Sequence, residues 1–89
     1  MTSQRITAKD IESGQIRFPA PAKRAFPREA SDIEVELRGI PVRGRWNPRT
    51  GPDRERSGVL RVGRQVLEAH VHADEVLTIG ERAGRVVLS

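Results

Sequence analysis

Ile33-Glu34-Val35-Glu36-Leu37 alternates apolar and acidic residues without interruption. On a strand, its three aliphatic side chains share one face and its two glutamates the other. Arg38-Gly39 reads as a turn and Ile40 to Trp46 as the returning strand, so a hairpin is predicted. Pro41 weakens the start of that second strand or places it on an edge, because proline has no N–H for a ladder. Gln15-Ile16-Arg17-Phe18 shows the same period of two, and Pro19 and Pro21 end it. Ala20 to Ala25 then suits a short helix with proline in its first turn. Phe26 is expected to point inward and Pro27 to stop the helix. Upstream, Thr7 and Asp10 have the spacing of a helix cap and its reciprocal partner. Only Ile11 follows before Ser13-Gly14, so a helix there is one turn long.

Beyond Trp46 the pattern breaks. Asn47 to Arg54 holds two prolines and a glycine, which is loop chemistry. Ser57 to Val62 is strand-like again, Gly63 interrupts it, and Arg64 to His70 supports two turns of helix. Glu75 to Ile79 and Arg85 to Leu88 are predicted as the last strands, joined by a turn over Gly80 to Gly84. Five or six short strands with two short helices fit a compact open barrel better than a helical bundle.

The 89 residues suffice for one domain spanning the chain, with a modest core. Hydrophobic residues make up 36% and charged residues 31%, a balance that suits a globular fold. No apolar run approaches the roughly 20 residues a membrane span needs. Met1 to Asp10 lacks the apolar stretch of a signal peptide, so a cytoplasmic location without membrane contact is expected. With no cysteine, neither disulfides nor thiolate metal sites arise.

The formal net charge is +4, supplied by 14 arginines against Lys9 and Lys23. Genome composition also raises arginine content, so distribution matters more than number. Seven arginines lie from Arg43 to Arg64, opposed there only by Asp53 and Glu55. Arginine grips phosphate and guanine bidentately, and this asymmetry predicts one basic face.

Candidate chemistry is sparse. His70 and His72 form a His-x-His pair, with Asp74 the nearest third metal ligand, but no ligand-spacing motif supports a site. Ser57 lacks a nucleophile elbow, the carboxylates form no acid–base pair, and there is no glycine-rich phosphate loop. No catalytic residue, metal or cofactor is therefore expected. Phe18, Phe26 and Trp46 are the only aromatics, too few to stack a single strand base by base. Phe18 and Phe26 are assigned to the core. Trp46 opens the basic loop, either as its anchor or as a contact to DNA.

The stretch Ile6-Thr7-Ala8-Lys9-Asp10-Ile11-Glu12-Ser13-Gly14-Gln15-Ile16-Arg17-Phe18-Pro19, followed by Lys23-Arg24-Ala25-Phe26-Pro27, resembles the start of a B3 DNA-binding domain. Val35-Glu36-Leu37-Arg38-Gly39 is similar to that family's Val-x-Leu strand and glycine turn. Val59-Leu60, Arg64 to His70 and Ala73-Asp74-Glu75-Val76 stand where it has a strand, a short helix and a final turn. The likeness runs from about Ile6 to Leu88 and is carried by the order of several short motifs. Phe18 replaces an aliphatic residue, and Arg61-Val62 stand near the place of a family tryptophan.

The resemblance implies a mainly β, open seven-stranded pseudobarrel with two short helices. It implies two arms in the major groove of double-stranded DNA. The first would present Thr7, Lys9, Ser13, Gln15 and Arg17. The second would present Arg43, Arg45, Trp46, Asn47, Arg49, Arg54 and Arg56, with Asp53 and Glu55 orienting arginines or limiting repulsion. The cysteine-free, arginine-rich character looks like the bacterial branch, in which such domains serve as recognition domains of restriction endonucleases. A fused or recruited nuclease or other effector would complete such a system. The alternatives are a dimeric swapped-hairpin regulator or interaction module, and a small metal-dependent enzyme built on His70, His72 and Asp74.

Overall fold

The structure, a computed structural model, describes residues 1–50 and 56–89. Among the described residues, six strands form one curled sheet in the order β1-β4-β3-β2-β6-β5. They are β1 Gln15–Phe18, β2 Ser31–Leu37, β3 Ile40–Asn47, β4 Gly58–Arg61, β5 Ile79–Arg82 and β6 Arg85–Leu88. All neighbours are antiparallel except β2 and β6. Two α-helices, α1 Ala8–Ser13 and α2 Arg64–His70, and a 3-10 helix at Ala20–Ala25 complete the fold.

The predicted hairpin is present, with Leu37 paired to Ile40 and Val35 to Val42. Alternation places Val35, Leu37, Val42 and Trp46 inside, with the acidic residues of β2 on the outer face. Pro41 is tolerated because β4 pairs with β3 only from Arg45 to Asn47, which leaves the start of β3 with one partner.

Trp46 anchors the core beneath the second arm. It is fully buried, lies stacked on Phe26 with centroids 4.2 Å apart, and donates its indole N–H to the Pro27 carbonyl at 2.8 Å. Phe18 packs against Phe26 at 4.6 Å. A Cβ at Gly58 would drive into the Trp46 ring, so β4 approaches that ring only as glycine. Of the two roles expected for Trp46, anchor or DNA contact, its burial and the internal partner of its indole N–H fit the anchor.

Among the described residues the structure has six strands where seven were expected, and three helices where two were. Residues 2–6 lie between β1 and residues 75–78 and form only an isolated bridge, Thr2 to Thr78. Their hydrogen bonds alternate between two neighbours, as those of an inner strand do, but the ladder is interrupted at Ser3, where a side chain takes the place of the backbone acceptor. Gln4 N–H donates to the Arg17 carbonyl at 2.9 Å, whereas Ser3 N–H and Ile6 N–H donate to Leu77 and Glu75 at 2.8 Å. The buried Ser3 hydroxyl also accepts from Leu77 N–H, replacing a backbone carbonyl. Residues 2–6 thus bridge the two edges of an open, curled sheet.

For the same reason Glu75 to Ile79 is not a strand. β5 begins at Ile79, and the turn narrows to Ala83-Gly84, both at positive φ. β4 is shorter than Ser57 to Val62 because Val62 N–H and Gly63 N–H both donate to the Gly14 carbonyl.

Candidate nucleic-acid interface

The first arm is built on Asp10. Thr7 caps α1: its hydroxyl accepts from Asp10 N–H at 3.0 Å, and the Asp10 carboxylate accepts from Thr7 N–H at 3.0 Å. The carboxylate also receives Arg17 Nε at 2.9 Å, Arg17 Nη2 at 3.0 Å and Gln15 Nε2 at 3.2 Å. Asp10 is only 4% exposed. Burial alone would raise its pKa, but the bonds from Arg17, Thr7 and Gln15 outweigh that and hold it below the ordinary carboxylate value.

Arg17 is consequently held on every side. Its remaining donors reach Gln4 Oε1 at 2.6 Å and the Arg5 carbonyl at 3.3 Å. The structure gives it the geometry of a brace that ties the arm to β1. Lys9 and Ser13 are exposed on α1, and Gln15 is half-buried. Gly14 ends the helix at φ 70°, and a Cβ there would sit 2.7 Å from Arg64 N. That close approach locks the arm to the start of α2.

β1 runs from the first arm at Gln15 towards the second loop at Phe18, so the two arms lie at opposite ends of the same strands. Between them is a floor made by the outer face of β1, β4 and β3. Ile16, Leu60 and Trp46 are paired and buried, so their neighbours Gln15, Arg61 and Arg45 face outward in one row. Asp32 continues that row on β2 and meets Arg45 at 3.3 Å. A second row holds Arg17, the buried Val59, and Asn47. Arg43 is exposed beside this floor, opposite Glu34.

In the second arm, Asn47 Oδ1 accepts Arg49 N–H at 2.8 Å and supports the positive φ of Arg49. Asn47 and Arg56 are exposed and Arg49 is half-buried. Arg54, with Asp53 and Glu55, lies outside the described residues. Lys23 pins both described ends of the arm, donating to the Pro48 carbonyl at 2.8 Å and the Arg56 carbonyl at 3.0 Å. Beside it, Lys23, Arg24, Arg28, Pro27 and Pro48 border a groove of about 590 Å³ that extends the basic surface.

Sequence reasoning missed Arg61 and Lys23. Arg61 becomes visible only through strand register, and the contacts of Lys23 lie 25 and 33 residues away in the chain.

His70, His72 and Asp74 surround a clasp. Arg38 donates to the His70 carbonyl at 2.9 Å and to Glu75 at 2.6 Å, and Glu75 also accepts His72 N–H. The Arg38 hydrogen bond, followed by the His72 bond, lowers the Glu75 pKa, while the same pairing raises that of Arg38. Among the described residues, no group of His, Cys, Asp and Glu side chains could hold a metal ion. No helix among them is long and apolar enough to cross a membrane.

The curled six-stranded sheet with its edges bridged by residues 2–6 is a B3-like fold. It is similar to the chain solved in an Arabidopsis FUS3–DNA complex, with a TM-score of 0.74 and 13% identity over 97% of this chain and 91% of that one. No protein-family model matches the sequence, and no curated protein matches it.

Proposed function

We propose that this domain binds double-stranded DNA in a sequence-specific manner, using its two arms to enter the major groove. The observation that carries the reading is the fold shared almost end to end with a chain solved on DNA. The basic floor and second arm of this chain supply the matching electrostatics. Asn47, Arg49, Arg54 and Arg56 would read base edges or hold phosphates from the second arm, with Arg43 and Arg45 beside them. Thr7, Lys9, Ser13 and Gln15 serve the first arm, Thr7 chiefly as its cap and Arg17 as its brace. The domain does no covalent chemistry of its own. It acts as the recognition part of a restriction or regulatory system, with any cleavage supplied by a fused or recruited effector.

Selection from random duplex DNA at a stated salt concentration tests this reading. An enriched motif, with affinity that falls steeply as salt rises, is the expected result. Equal weak binding to every duplex would remove the sequence-specific part.

A further inference from the structure

Arg61 and Arg45 stand directly across from one another in the β3–β4 ladder, both exposed, in the middle of the floor between the arms. Opposed residues of this kind hold their Cβ atoms roughly 4.5–5.5 Å apart, and like charges there destabilise the strand pair. Arg45 is partly offset by Asp32 on its other side, at 3.3 Å with both side chains more than half exposed. Arg61 has only neutral Gln15 as its other neighbour in the row, and no described carboxylate forms an ion pair with it. A threonine would satisfy the strand better at this position. The free domain therefore carries a repulsion that its fold does not require.

Two guanidinium forks facing each other across a ladder can converge on one tetrahedral anion. We infer that Arg61 and Arg45 together hold one backbone phosphate of the bound duplex, at the centre of the floor. This rests on the DNA-binding reading above and adds a contact that lies in neither arm. A phosphate contact fixes register on the duplex and carries no base preference. The bound anion also neutralises the opposed pair, so binding relieves a strain that is present in the free protein.

Arg61→Thr and Arg61→Lys test the inference through two readouts, thermal unfolding without DNA and duplex affinity across a salt series. Arg61→Thr should unfold at the same or a higher temperature than the parent. It should bind every duplex several-fold more weakly, with the log–log salt slope reduced by at most about 0.9, because Arg45 still faces the shared phosphate. Arg61→Lys should recover most of that slope, since it restores the charge without the fork. Unchanged affinity and slope in folded Arg61→Thr would overturn the phosphate contact while leaving DNA binding intact. A loss confined to particular sequences would overturn it too, in favour of a base contact. Failure of the parent itself to bind any duplex would instead defeat the DNA-binding reading on which it stands.

Discussion

The two halves of the outer face use the same residue types to opposite effect. Each carboxylate of β2 meets an arginine: Glu34 with Arg85 at 2.6 Å and Glu36 with Arg82 at 3.1 Å within the β2–β6–β5 half, and Asp32 with Arg45 of β3 at 3.3 Å across the boundary between the halves. On the β1–β4–β3 half and in the second arm, Arg43, Arg49, Arg56 and Arg61 form no ion pair with a described carboxylate. Arg82 and Arg85 add as much formal charge as Arg43 and Arg61, but their field is cancelled close to its source. Pairing, rather than arginine content, therefore separates a surface that attracts a polyanion from one that is merely solvated.

The largest effect should come from the support beneath the open half. Trp46→Ala removes a fully buried indole, its stack on Phe26 and its bond to Pro27. A loss of about 3–5 kcal/mol is expected, read by chemical denaturation. That is a large share of the roughly 5–15 kcal/mol available to a typical domain. Trp46→Phe, which keeps an aromatic ring, should lose less. A Trp46→Ala variant of parental stability would show that the second arm does not depend on this anchor.

The brace of the first arm comes next. Asp10→Ala leaves Arg17, Gln15 and Thr7 without their shared acceptor and should cost about 1–3 kcal/mol. The same network has a pH signature. The folded carboxyl binds its proton less tightly than the unfolded one, so its contribution is complete above the ordinary carboxylate range. It is lost as pH falls through the lowered folded value. Asp10→Asn should therefore flatten the acid limb of the stability profile, and a limb identical to the parent's would count against the network.

Arg49→Ala with Arg56→Ala acts on binding rather than folding, because neither side chain is buried. If each neutralises one phosphate, the salt slope should fall by up to about 1.8 and affinity should drop with it. Filter binding at several salt concentrations would measure both, and an unaltered slope would remove these two arginines from the interface.

Much of this contrast could be read from the sequence, but not all of it. The clean alternation from Ile33 to Leu37 marked its strand, and Thr7 with Asp10 marked its helix cap, because both signals are local. The strand at β5 was not legible. Gly80, Glu81 and Arg82 are all exposed there, so no apolar alternation marks the element, while Leu77 is buried through bonds to Ser3 rather than by a ladder. The second arm was visible as a cluster of arginines. The open state of Arg61 was not, since it depends on which strand lies beside β4. The resemblance implied Arg17 as a first-arm DNA contact, and three contacts hold it as a brace.

The smallest expected change is the sharpest control on the comparison. Arg82→Ala with Arg85→Ala removes the same formal charge as Arg49→Ala with Arg56→Ala, but from the paired half. Exposed ion pairs of this kind contribute at most about 1 kcal/mol each, so unfolding should shift little. Duplex affinity at physiological salt should stay close to the parent's, where charges beyond about 8 Å are screened. The two double variants then differ only in where the charge was lost. If they weaken DNA binding equally, net charge governs the interaction and the division of the outer face has no functional meaning. If only the Arg49 and Arg56 variant weakens it, the carboxylates of β2 are what confine the DNA-binding surface to the floor and its arms.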